Sequence, residues 1–250
     1  MLRFDHLTTI TAIMCIAPAS VLAQTDARKL IEQAAAAHGG LDALAKYSAA
    51  RIKVKGSYVF QGRTVPYSGQ SVYSMPDRLH STVELTIQNV TRKVEQIQNG
   101  DRSGMLVAGL AQHLSDAQSQ ELKMSLYCQN VARLAPLLKD EKFNLSTAGD
   151  KSIDGKLASG IRIAYPGRKE VTLYFDADTH LLVMLERPGF DAAGAKADQQ
   201  EFYSDFRTAN GLKYAGKTRV VQNGKMTLES EVMEFQPLER VDNKEFALPP

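Results

Sequence analysis

From Ala50 onward the chain alternates apolar and polar residues with a period of two, and short glycine-containing turns interrupt that alternation again and again. In the first run Ile52, Val54, Gly56, Tyr58 and Phe60 fall on one face, with Arg51, Lys53, Lys55 and Ser57 on the other. Successive side chains of a strand point to opposite faces, so this pattern describes a strand with one wet side and one buried side. Similar runs follow at Thr64–Ser74, Leu79–Gln88, Val90–Gln98, Leu157–Tyr165, Glu170–Asp176, Leu181–Arg187, Gln200–Thr208, Leu212–Gln222 and Lys225–Gln236. Between them stand Gln61-Gly62, Pro76-Asp77, Asn99-Gly100, Asp154-Gly155, Asn210-Gly211 and Asn223-Gly224. These pairs suit tight hairpins, several of which demand positive φ. Strands joined by hairpins pair antiparallel, so the pattern predicts a mainly antiparallel sheet in a mainly β, α+β chain.

Two stretches depart from that period. Over Asp26–His38, Ala27, Leu30, Ile31, Ala34 and Ala35 recur at helical spacing and Gly39-Gly40 supplies a stop. The expected helix is amphipathic, and its exposed face carries Arg28, Lys29 and Glu32, which suits a cover over a sheet better than a membrane-binding helix. A second helical stretch runs from about Asp116 to Lys139, where Ser115 and Gln118 fit a capping box and Leu122, Leu126, Val131, Leu134 and Leu138 form an apolar stripe. Pro136 is expected to kink or end it, and Asn130 to mark a break between two shorter helices. An apolar stripe must be buried, so this insert is expected across the concave face of a curved sheet, either as a plug of plain core or as a lid over a cavity.

The first residues read as an export signal. Arg3 gives a short basic start, Leu7–Leu22 is mostly apolar without charge, and Val21-Leu22-Ala23 fits a cleavage site after Ala23. The expected organisation is a signal peptide over 1–23 and one domain over 24–250, placed in the periplasm. A lipid-anchored reading through Cys15 is disfavoured, because bulky Met14 precedes it and the apolar run continues past it. The mature chain would keep one cysteine, Cys128, so its stability must come from a core and not from an internal disulfide. A net charge of +2 with scattered Lys and Arg gives no electrostatic footprint for nucleic acid.

Motifs that would carry chemistry are sparse. His38, His80, His113 and His180 show no metal-ligand spacing, so no metal site and no cofactor is expected. Cys128 sits in an apolar helical stretch like a small buried hydrophobe, and no Gly-x-Ser-x-Gly elbow or phosphate loop occurs. Asp176-Ala177-Asp178-Thr179-His180 reads as a hydrogen-bonded turn. An enzyme assembled from distant residues would draw on Asp205, His80 and Tyr203. What stands out is an apolar sheet face with little to cover it, which can leave a groove that an apolar ligand completes.

His38-Gly39-Gly40-Leu41-Asp42-Ala43-Leu44, followed by Ile52-Lys53-Val54-Lys55-Gly56, resembles the start of the outer-membrane lipoprotein-sorting, or LolA-like, family. Leu173-Tyr174-Phe175-Asp176 with Thr179, Leu181, Leu182 and Glu186 resembles its later hairpins, as does Phe202-Tyr203-Ser204-Asp205-Phe206 with Asn210-Gly211-Leu212-Lys213-Tyr214. Asp242–Pro249 resembles its C-terminal end. The resemblance implies an unclosed half-barrel of about eleven strands wrapped around helices, with a hydrophobic cavity for acyl chains. It implies a non-enzymatic carrier, a monomer, whose partner is a lipid or acylated lipoprotein, or alternatively an adaptor that binds an envelope protein. Alternation then nominates Ile52, Val54, Tyr58, Phe60, Leu79, Val83, Leu85 and Ile87 as cavity residues and Leu122, Leu126, Leu134 and Leu138 as lid residues.

Overall fold

A computed structural model describes residues 19–60, 62–87, 90–191 and 194–248. Among these, thirteen strands form one sheet in the order β6-β5-β4-β3-β2-β1-β13-β12-β11-β10-β9-β8-β7. Strands β1 (Ala49–Phe60), β2 (Arg63–Ser74), β3 (Arg78–Ile87) and β4 (Val90–Asn99) follow as hairpins, and β5 (Arg102–Val107) and β6 (Leu110–Gln112) extend that wing to one edge. The second wing runs from β7 (Asn144–Ile153) through β8 (Lys156–Ala164), β9 (Val171–Asp176), β10 (Leu182–Phe190), β11 (Lys196–Ala209) and β12 (Leu212–Gln222) to β13 (Lys225–Leu238). Every pairing is antiparallel, and the wings join where β1 pairs with β13, Ile52 opposite Phe235. Among the described residues β6 and β7 each pair on one side only, so the sheet is an open half-barrel with the antiparallel order that hairpin turns dictate.

The turns behave as their residues require. Asp154-Gly155, Asn210-Gly211 and Asn223-Gly224 each place both residues at positive φ, the geometry of two-residue hairpins whose twist matches the strands. Ala108-Gly109 does the same between β5 and β6, although alanine rarely adopts that conformation. Sequence alternation did not reveal β5, β6 and β7. In β7 only Leu145 and Ile153 are buried, because an edge strand pairs on one side and needs few inward apolar residues.

Four helices line the concave side. α1 (Ala19–Ala37) begins well before Asp26, since no glycine or proline interrupts residues 19–37. Most of the expected signal segment, residues 1–18, lies outside the described residues, and the expected cleavage point after Ala23 falls within α1. Among the described residues no helix is long and apolar enough to cross a membrane. α2 (Leu41–Lys46) follows Gly39, whose absent Cβ would stand 2.2 Å from the Gly211 carbonyl oxygen, so this close approach requires glycine. α3 (Asp116–Ala132) opens on the expected capping box between Ser115 and Gln118. It breaks at Arg133-Leu134, three residues beyond Asn130, and α4 (Ala135–Lys139) then carries Pro136 in its first turn, where a missing N–H costs nothing.

The core lies under the second wing. Ala27, Ile31, Ala34 and Ala35 of α1 pack with Leu134 and Leu137 against Leu145, Ile161, Ile163, Leu173, Phe175 and Leu185. The first wing has a smaller apolar cluster of Met75, Leu79, Leu122 and Leu126, through which α3 reaches across to the β2–β3 turn. One wing is thus packed shut by helices. The other is crossed by α3 on its concave side.

Candidate functional site

Between α3 and the concave face lies a cavity of about 520 Å³. Register decides which residues line it. Ile52 pairs with Ser71 and Phe235, and Val54 with Gly69 and Val232, so these side chains stand on the same inward face. Leu79, Tyr67 and Tyr73 continue that face across β2 and β3, while Leu228, Tyr203, Phe206 and Tyr214 complete it from the second wing. Leu44 and Tyr47 close one end, and Leu122 and Ser125 of α3 form the roof. Small residues keep the floor low: Gly69 has no side chain, Ser71 donates to Ser81 at 2.9 Å, and Ala215 and Ser230 lie in the same layer. A wall of large side chains over a floor of small ones leaves space that the chain itself does not fill.

The cavity is amphipathic but poor in charge. Burial pushes the Tyr73 hydroxyl up to about 12. Burial, the neighbouring Glu201 carboxylate and a hydrogen bond to it hold Tyr203 well above the usual phenol range. Both phenols therefore keep their protons at neutral pH. Glu201 belongs to a buried network under α3, where it accepts from Tyr203 Oη at 3.0 Å, from Gln199 Nε2 at 2.8 Å and from Arg187 Nε at 3.4 Å. Arg187, whose side chain is 1% exposed, also donates to Glu121 of α3 at 2.5 Å. Glu121 in turn accepts from the Phe190 backbone N–H at 3.0 Å. Burial alone would lower the Arg187 pKa, but the hydrogen bond to Glu121 and the two carboxylate charges outweigh it and raise it. This network bolts α3 to β10 and β11. Cys128 lies beside it, and burial pushes its thiol up, the opposite of an activated nucleophile.

The expected residues separate into groups. Ile52, Val54, Leu79 and Leu122 meet around the cavity. Tyr58, Val83, Leu85 and Ile87 share its face by register, with Val83 opposite Gly69 and Leu85 opposite Tyr67, but lie farther out along the first wing, half-exposed. The Phe60 side chain is outside the described residues. Leu126 packs beside Leu122 but borders a second, adjoining cavity, and Leu134 and Leu138 sit in the main core. Of the residues considered for an enzyme, Tyr203 lines the cavity, His80 points to the opposite face of β3 toward Glu95 and the Glu245 carbonyl, and exposed Asp205 pairs with Arg207. Sequence reading missed Tyr67, Tyr73, Tyr214 and Phe235, although each sits at an inward position of its own alternating run. The Glu121–Arg187–Glu201 network had no sequence signal, because its members lie on separate elements.

The chain is an open antiparallel sheet curved over helices, with unfilled space beside α3, a fold like that of LolA-like proteins. Solved structures bear this out: a LolA superfamily protein from Nitrosomonas europaea superposes with a TM-score of 0.56 at 13% identity, covering 88% of this chain and 97% of that one. A domain described as an outer membrane lipoprotein-sorting protein domain, from Vibrio parahaemolyticus, gives 0.53 at 8% identity over 89% and 97%. A DUF1329 family protein from Desulfovibrio piger gives 0.55 at 11% identity over 88% and 97%. At such identities the likeness is one of fold. No protein-family model matches the sequence, and no curated protein matches it significantly.

Proposed function

We propose that this protein is a non-enzymatic periplasmic carrier that takes an acyl chain of a lipid or lipoprotein into the cavity beneath α3 for transfer toward the outer membrane. The observation that carries this reading is the cavity itself, about 520 Å³, a size typical of small-ligand sites, whose wall is built from Ile52, Val54, Leu79, Leu122, Leu228 and Phe235. Removing a chain of about 16 carbons from water gains on the order of 12 kcal/mol gross, before ordering costs. That is ample for holding a lipid through an aqueous space. The tyrosines and the raised Cys128 thiol offer no activated acid, base or nucleophile, which suits sequestration better than turnover.

Expressed with its own leader and purified from the periplasm without detergent, the protein is expected to lack residues 1–23. Its native mass spectrum is expected to show a lipid mass that denaturation removes. A bare protein mass that persists after incubation with membrane lipid extract would overturn the carrier reading. Recovery of one stoichiometric protein partner in its place would favour an envelope adaptor.

A further inference from the structure

α3 separates two cavities of different chemistry. Leu122, Ser125, Gln129 and Ala132 line the apolar cavity, whereas Lys123, Leu126, Tyr127 and Asn130, one position round the helix, line a second of about 490 Å³. Arg133, at the C-terminal end of α3, and Met75 border both.

The second cavity brings Lys123, Arg133 and Arg168 together with Asp77, Asp101 and Asp140. The carboxylates are engaged: Asp77 lies 4.0 Å from Arg78, Asp101 lies 3.9 Å from Lys123, and Asp140 accepts from Tyr165 Oη at 3.2 Å and from the Lys142 backbone N–H at 3.0 Å. Among the described residues neither guanidinium has a carboxylate partner. Arg133 Nη2 donates to the carbonyls of Leu44 at 2.7 Å and Tyr47 at 2.9 Å, which leaves Nε and Nη1 without a hydrogen bond. Arg168 lies 5.6 Å from the centre of the Tyr127 ring, and the buried Tyr127 hydroxyl has no hydrogen-bond partner among the described residues. Burial lowers the Arg133 pKa, so its charge is held at a cost that no carboxylate offsets. The Arg133 and Arg168 guanidiniums and the Tyr127 hydroxyl can each donate to an oxyanion, and among the described residues none of the three donates to a carboxylate.

We propose that this second cavity, with Arg133 at the wall it shares with the first, binds an oxyanion, the phosphate or carboxylate of an amphiphile whose chain occupies the apolar cavity. The amphiphile part rests on the carrier reading above, and the anion site does not. Charge-assisted hydrogen bonds then add selectivity for the headgroup to the unselective affinity of the apolar wall.

The test uses three probes on delipidated full-length mature protein in titration calorimetry: hexadecyl phosphate, hexadecanol and inorganic phosphate. Hexadecyl phosphate is expected to bind about ten- to a hundredfold tighter than hexadecanol. Arg133→Gln is expected to erode that preference by about tenfold. Because Arg133 also holds α2, Arg168→Gln at its exposed position keeps the test intact if the first variant does not fold; it is expected to narrow the preference while leaving hexadecanol affinity unchanged. Equal affinities for the two chains, or a preference that survives both substitutions, would overturn the site. Binding of inorganic phosphate alone, sensitive to Arg168→Gln and without hexadecanol binding, would uphold the anion site with a free anion as its source and sink the carrier reading. Binding of none of the three probes would overturn both.

Discussion

His38 is held neutral by what surrounds it. Its Nδ1–H donates to the Ala34 carbonyl at 2.8 Å, and its Nε2 faces the Leu182 backbone N–H at 3.5 Å, so a second ring proton would meet a donor. Burial lowers its pKa from the ordinary 6.5 more than the Ala34 carbonyl raises it, and the Lys213 charge lowers it further. Between 6.5 and the lower folded value the unfolded chain binds the extra proton and the folded one does not, so stability falls as pH drops through 6.5. The loss levels off once the folded ring is itself protonated. Urea denaturation at pH 7.5 and 5.5 is expected to show a smaller acid loss for His38→Gln than for the native chain. Arg187 sets the opposite case, a charge that the fold keeps. Arg187→Ala leaves Glu121 and Glu201 without their buried cation and is expected to cost about 3–5 kcal/mol in denaturation experiments. A cost under about 1 kcal/mol, the scale of an exposed ion pair, would mean the network is solvated.

At the scale of elements, α3 carries the burden because every side of it is used. Glu121 faces β10, Leu122 and Ser125 face the apolar cavity, and Lys123 and Tyr127 face the second. Its start was legible in Ser115 and Gln118, because a capping box is local chemistry. Its end was not: the apolar stripe runs through Leu134 in the sequence, but Leu134 takes positive φ and turns α4 into the main core. Strand β1 shows a comparable limit. Gly56 reads as one more inward residue, yet a Cβ there would stand 1.9 Å from the Glu229 carbonyl oxygen of β13. Gly56→Val is therefore expected to prise the joint between the wings and destabilise the fold by about 1–3 kcal/mol, read as a lower urea midpoint. An unchanged midpoint would show that β1 and β13 part there at no cost.

Across the whole molecule the two wings differ in cover. The second is packed by α1, α2 and α4, while the outer part of the first leaves Val83, Leu85 and Ile87 half-exposed on the cavity's own face. If a bound chain runs along that face, Val54→Glu and Leu85→Glu are both expected to weaken retention of a hexadecyl chain while the far-ultraviolet circular dichroism of the sheet is preserved. Val54→Glu is expected to act more strongly, because a carboxylate at the cavity wall loses its water and one on the outer wing keeps it. Unchanged retention in Leu85→Glu would confine the chain to the space under α3.

The sequence by itself determined most strands of the hairpin meander, all but β5, β6 and β7, their antiparallel pairing and the inward faces of β1 and β3, because alternation and turn conformation are properties of neighbouring residues. Ile52, Val54 and Leu79 were legible for that reason. Only the tertiary structure decided that the open sheet has thirteen strands and not about eleven, with β6 and β7 as edges, that Leu134 belongs to the core while Leu122 roofs a cavity, and that Glu121, Arg187 and Glu201 meet. Those outcomes depend on which surfaces come together over long separations in the chain. Packing sets them, and no local pattern encodes it.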